Sequence, residues 1–139
     1  MRIEDIVKTD FPKLHTHEDA EEAIQQLIQS PERSLPVFDE NDRFVGELSQ
    51  EDLLLEIVGA DEMGGDFDMN MIRNVLSEGS TTIDPMVERH TMRLQLSDSL
   101  HGAIRYMYEE ELSTLPVFDG DDFKGILTDI EILKHFKQL

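Results

Sequence analysis

The chain has 139 residues, with 12 Lys and Arg against 31 Asp and Glu, a formal net charge of −19 and no cysteine. This balance argues against a partner with a phosphate backbone, which needs clustered cations, and the missing thiols rule out disulfides and thiolate metal sites. No apolar run approaches the roughly 20 residues that span a bilayer, and residues 1–5 include the acids Glu4 and Asp5 and lack a signal-peptide core. A cytoplasmic protein without nucleic-acid partner or direct membrane insertion is expected. Acidic surfaces of this kind suit high salt, divalent cations or a basic partner. In the plainest case they are simply solvated.

Along the chain, an extended lead-in precedes a first helix, which begins after Glu18 and Asp19 and places Ala20, Ala23, Ile24, Leu27 and Ile28 on one face. A short apolar strand follows at residues 35–38, with Pro36 near its start, where a strand tolerates proline. The polar turn at residues 39–42 leads into a second strand at residues 44–48, so the pair reads as a hairpin. After Ser49, Leu53, Leu54, Ile57 and Val58 mark a second helix. Residues 59–66 form an acidic, glycine-rich linker, and Phe67, Met71, Ile72, Val75 and Leu76 recur at helical spacing beyond it. A third helix carries Leu100, Ala103, Ile104 and Met107; a second hairpin turns at residues 119–122, and a closing helix carries Ile130, Leu133 and Phe136.

The chain repeats itself. Ser34-Leu35-Pro36-Val37-Phe38-Asp39 falls on Thr114-Leu115-Pro116-Val117-Phe118-Asp119, an offset of 80 (34 to 114), and Ala23-Ile24 falls on Ala103-Ile104 at the same offset. One deletion later, Gly46-Glu47-Leu48-Ser49 falls on Gly125-Ile126-Leu127-Thr128. Consecutive identities in register with matches on both sides indicate a duplication. Repeat one is expected over residues 1–60 and repeat two over residues 81–139, with the linker and a short helix at residues 61–80. Each repeat is helix, strand, strand, helix with an extended lead-in, and one such unit buries too little surface to stand comfortably alone.

These residues resemble the CBS domain, named after cystathionine beta-synthase, and two copies resemble a tandem pair, or Bateman module. The resemblance implies an α+β fold with two repeats packed about a pseudo-twofold axis, assembly as a homodimer, and a regulatory role without catalysis. It also implies an adenosine effector such as AMP, ADP or ATP in the cleft between the repeats. In similar modules an Asp three residues after the motif Ser or Thr holds the ribose hydroxyls, a charge-assisted contact, and residues around the Leu-Pro step line the base pocket, partly through backbone groups. In repeat one this points to Ser49 and Asp52, with Glu32, Ser34, Leu35 and Pro36. In repeat two it points to Thr128 and Glu131, with Leu112, Thr114 and Leu115. Repeat two departs from the pattern, because Glu131 stands where Asp is expected and its extra methylene displaces the carboxylate.

The same residues also serve the fold. Ser49 is a good helix N-cap with Asp52 at its third position, and Thr128 with Glu131 has the spacing of a capping box. Candidates for the phosphate side are Lys8, Thr9, Lys13, Arg89, His90 and Arg93, with His17 and Ser97 before the first helix of each repeat. Other motifs fail: the Gly59 to Gly64 spacing lacks the Lys-Ser/Thr of a phosphate loop, Met71 and Ser77 break the calcium-loop pattern opening at Asp66, and His15 with His17 is a lone pair. There is neither a Gly-x-Ser-x-Gly elbow nor an HExxH helix, so no enzyme is expected. A competing expectation is a cytosolic gate of an ion channel or transporter, acting on an effector partner. There, carboxylates such as Asp61, Glu62, Asp66 and Asp68 would bind magnesium.

Overall fold

The apolar periodicity becomes short elements because glycines, prolines and acidic turns interrupt it every ten residues or so. The computed structural model describes residues 1–55, 82–89 and 92–137. The expected linker and its helix, together with Ile57, Val58 and His90, lie outside the described residues. In chain order the helices are α1 (Ile3–Ile6), α2 (Ala20–Gln29), α3 (residues 50–55), α4 (Leu100–Glu109) and α5 (Asp129–Lys137). The strands are β1 (Leu14–His15), β2 (Ser34–Phe38), β3 (Phe44–Ser49), β4 (Leu94–Gln95), β5 (Thr114–Asp119) and β6 (Asp122–Thr128). The fold is mixed α+β, with two three-stranded sheets ordered β1-β2-β3 and β4-β5-β6. In each, a two-residue parallel strand flanks an antiparallel hairpin.

Two compact units divide the chain, and they cross the bounds of the repeats. One comprises residues 1–11 with residues 91–139, and the other residues 12–90. The lead-ins are therefore exchanged: that of repeat one packs with the sheet of repeat two, and that of repeat two packs with the sheet of repeat one. In the first unit Ile3 and Ile6 of α1 join Leu94, Ala103, Met107, Leu115, Val117 and Leu127 in one core. In the second, Ala20, Ala23, Leu27, Leu35, Val37, Leu48, Ile83 and Met86 are buried. The lead-ins are less extended than their sequences suggest, since α1 is one helical turn and Asp84–Met86 one 3-10 turn.

Each lead-in ends by closing a sheet edge. Lys8 donates its N–H to the Ile126 carbonyl (2.8 Å) and accepts from the Ile126 N–H (2.9 Å), while Glu88 and Glu47 exchange the same two bonds at 2.8 and 3.0 Å. Bare strand edges invite pairing with other chains, and these bridges cover part of both. The motif glycines make the approach possible. A Cβ on Gly46 would collide with the Glu88 carbonyl and the Val87 side chain, and one on Gly125 with the Lys8 carbonyl and the Val7 side chain.

The hairpins turn differently. In repeat one the Asp39 carboxylate accepts the N–H groups of Asn41 (2.8 Å) and Arg43 (3.0 Å). In repeat two Gly120, at φ +64°, takes the left-handed conformation, and the Gln95 side chain bonds both its N–H and its carbonyl. Helix faces are narrower than the sequence suggests. Ala20, Ala23 and Leu27 of α2 are buried, but Ile28 is 71% exposed, and on α4 Ile104 also faces outward.

Candidate functional site

Strand parity builds the repeat-one site. Directly opposed residues of an antiparallel pair point to one face, and that face alternates along each strand. Ser34 opposes Ser49 and Pro36 opposes Glu47, so these four share a face; Leu35 with Leu48, and Val37 with Gly46, take the other. The Leu35 side chain is therefore part of the core, leaving its backbone as the group able to meet a ligand. Pro36 is the third residue of its strand. It fits because Glu47 opposite directs both its backbone groups to Glu88, so the missing proline N–H costs no bond to β3.

The remaining expected residues of repeat one flank this face. Ser49 Oγ accepts the Asp52 N–H at 3.0 Å and so caps α3, which leaves the Asp52 carboxylate half-buried. Glu32 is buried; its backbone N–H donates to Ser30 Oγ, and that hydroxyl donates a short bond back to its carboxylate. Glu32 thus stiffens the turn from α2 into β2.

Repeat two has the same frame with other side chains. Thr114 opposes Thr128 and Pro116 opposes Ile126 on one face, while Leu115 lies in the core. Thr128 Oγ1 accepts the Glu131 N–H at 3.0 Å, so the cap is present. The Glu131 carboxylate, however, lies 3.5 Å from Lys134 Nζ one turn along α5. Leu112 is exposed just before β5.

Glu47 escapes sequence reasoning. An acid in an alternating strand reads as solvent-facing, but this one is half-buried. Its Oε2 lies 3.5 Å from Ser34 Oγ, at the long limit of hydrogen bonding. Burial, then the carboxylates of Asp52 and Glu88, push its pKa up from 4.5 to about 7, and the Ser34 hydroxyl opposes the rise. The alignment of Glu47 with Ile126 held the only hint.

The expected phosphate-side groups are largely engaged within the fold. Lys13 Nζ sits 5.0 Å from the centre of the Phe38 ring and the Arg93 guanidinium 4.6 Å from that of Phe118. Arg89 pairs with Asp84, and the Lys8 backbone bridges β6. His15 bonds Asp42 at 2.9 Å, while Thr9, His17 and Ser97 are exposed. Among the described residues no group of three His, Cys, Asp or Glu could hold a metal ion, and no helix is long and apolar enough to cross a membrane. The four acidic residues expected to bind magnesium lie outside the described residues.

A family model for the CBS domain matches residues 3–59 and again residues 86–138. The structure is similar to that of CBSX2 in complex with AMP, with a TM-score of 0.75 at 21% identity, covering 99% of this chain and 96% of that one. It is also similar to GK1048, a hypothetical conserved protein from Geobacillus kaustophilus, with a TM-score of 0.77 at 22% identity over 100% of this chain and 98% of that one. MJ1225 from Methanocaldococcus jannaschii, proposed as an archaeal homologue of γ-AMPK, gives a TM-score of 0.76 at 24% identity; the match covers 97% of this chain and 47% of that one. A curated relative from Thermofilum pendens, an uncharacterized 33.4 kDa protein in a ribosomal RNA operon, is 24% identical over 131 residues. That match takes in 94% of this chain but spans only 38% of the relative's length.

Proposed function

Because the chain belongs to the CBS-domain family, we propose that it is a non-catalytic regulatory module that senses an adenine nucleotide and works as a homodimer. The observation that carries this reading is the shared face of Ser34, Pro36 and Ser49, with the half-buried Asp52 carboxylate at its margin. A ribose bound there would take two hydroxyl bonds from Asp52, and backbone groups at the Leu35-Pro36 step would read the base. The fold's likeness to a protein crystallised with AMP supports the choice of ligand. Repeat one is the tighter site, because Asp52 has the shorter reach while Glu131 is drawn toward Lys134.

Dimerisation draws support from apolar surface. On α5, Leu133 is 63% and Phe136 72% exposed, and Ile130 is exposed beside them. Contiguous apolar faces of this kind mark interaction surfaces. A ligand that binds only the folded state stabilises it, by about 2.7 kcal/mol at a hundred times its Kd. The test is a thermal-shift series with AMP, ADP, ATP and adenosine, beside magnesium and ionic-strength-matched sodium chloride. A saturable rise with an adenine nucleotide supports the reading. A response confined to magnesium would replace it with a cation-gated module.

A further inference from the structure

The helical faces of the two units share one frame but differ in charge. In the first unit α4 and α5 pack on the same core through Ala103, Met107 and Ile132. They turn Ile104, Tyr108, Leu133 and Phe136 outward, Tyr108 being 84% exposed. In the second unit α2 and α3 bury Ala23, Leu27 and Leu53 and turn Ile28, Leu54 and Leu55 outward. The duplication aligns the two faces: Ile28 takes the place of Tyr108 at the offset of 80, and Leu54 that of Leu133 one deletion later. Their charges do not align. Gln25 stands where α4 has Arg105, and α2 and α3 contain no Lys, Arg or His. Glu21 is engaged elsewhere and Asp52 belongs to the proposed ligand site, which leaves Glu22 and Glu51 as the exposed acids of these helices. On α4 and α5, Glu109 and Asp129 stand at the helix ends and Lys134 pairs with Glu131. Among the described residues Arg105 bonds only the His101 ring, at 3.5 Å, and Lys137 meets no carboxylate. Where acids outnumber bases 31 to 12, two bases that find no carboxylate within the fold are placed to meet one outside it.

Resting on the homodimer reading above, we propose that the dimer pairs unlike faces: the α4–α5 face of one copy docks on the α2–α3 face of the other, which sets Arg105 and Lys137 toward Glu22 and Glu51. Pairing like faces would put Glu22 and Glu51 against their own copies, and Arg105 and Lys137 against theirs. Juxtaposed like charges cost affinity, whereas opposite ones steer the encounter and fix its register. Two chains of net charge −19 repel at a distance, so local attraction at the contact matters the more. Apolar residues supply the contact area in either pairing, and the charges choose between the two. A second copy is the occupant because the chain itself carries both halves, an apolar face with bases and an apolar face with acids, on matching helical frames.

The experiment is sedimentation equilibrium at constant ionic strength on four proteins. They are the wild type, Arg105→Glu with Lys137→Glu, Glu22→Lys with Glu51→Lys, and the chain carrying all four changes. Each two-residue variant should dimerise about tenfold more weakly or worse, and the four-residue variant should recover the wild-type value. General repulsion works the other way for Glu22→Lys with Glu51→Lys, since that variant is less negative and on net charge alone would associate more tightly. The chain has no cysteine, so Ile28→Cys and Tyr108→Cys each supply a single attachment point. A short bismaleimide should join these two proteins to each other when mixed and join neither to itself, which reads the pairing even if a charge variant misfolds. Two-residue variants that associate like the wild type, a four-residue variant that does not recover, or self-cross-linking of either cysteine protein overturns the unlike pairing and leaves the dimer standing. A wild type that stays monomeric at high micromolar concentration overturns the dimer reading and the pairing with it.

Discussion

Replacing Glu47 with Gln should stabilise the protein at alkaline pH and leave it unchanged in acid. The carboxyl's pKa rises from 4.5 in the unfolded chain to about 7 when folded, chiefly through burial. Folding therefore takes up a proton between those values. The stability carried by the neutral form is fully present below about 4.5 and is lost as pH rises through about 7. Each tenfold in proton affinity is about 1.4 kcal/mol, so the ionised form costs at most about 3 kcal/mol, and water at the half-buried carboxyl reduces this to about 1–3 kcal/mol. Unfolding entropy of about 2.1 cal/mol/K per residue converts this to a melting temperature about 3–10 °C higher for Glu47→Gln at pH 8. At pH 4.5 the two proteins should melt together. Thermal denaturation followed by circular dichroism across that range makes the comparison. A difference that does not vary with pH, or a wild type more stable than the variant at pH 8, would refute the reasoning.

Three further outcomes follow from the packing and the charge. Gly46→Ala and Gly125→Ala should each destabilise by about 2 kcal/mol or more, because the new methyl group meets a lead-in carbonyl. Gly120→Ala, with open space around it but φ +64°, should cost only about 1 kcal/mol; chemical denaturation would rank the three. Phe136→Glu, which places charge on the exposed face of α5, should shift the mass seen by light scattering from dimer to monomer without unfolding the chain. The melting temperature should climb with sodium chloride, because a net charge of −19 opposes compaction until the Debye length falls to about 8 Å or less; a flat response would remove the electrostatic argument.

The duplication was legible because Leu-Pro-Val-Phe-Asp is kept intact in both copies, and each of its apolar side chains has the same buried place in its own hairpin. The caps were legible too, since a Ser or Thr three residues ahead of an acid is a local pattern that needs no tertiary context. The exchange of lead-ins was hidden for the reason the repeat was plain. Two similar sheets offer Ile3 and Ile83 equivalent berths, and no local signal says which copy is taken. The strands β1 and β4, at two residues each, are too short to show alternation. Ile28 was misplaced because five apolar positions on α2 cover a wider arc than the sheet buries, and Ala20, Ala23 and Leu27 fill the inner part. Glu47 is bridged to Glu88, 41 residues away (88 minus 47), a pairing that no window of sequence contains.

The central claim, that the repeat-one face receives an adenine nucleotide, is tested most directly by amide chemical-shift mapping of the isotope-labelled chain titrated with AMP. The account predicts saturable shifts at Ser34, Leu35, Glu47, Ser49 and Asp52, appearing at lower AMP concentration than any at Thr114, Ile126, Thr128 and Glu131. Asp52→Asn should weaken the first set about 10- to 150-fold, the loss of one charge-assisted contact worth about 1.5–3 kcal/mol. Shifts that begin in repeat two, survive Asp52→Asn unchanged, or are absent at millimolar AMP would contradict it.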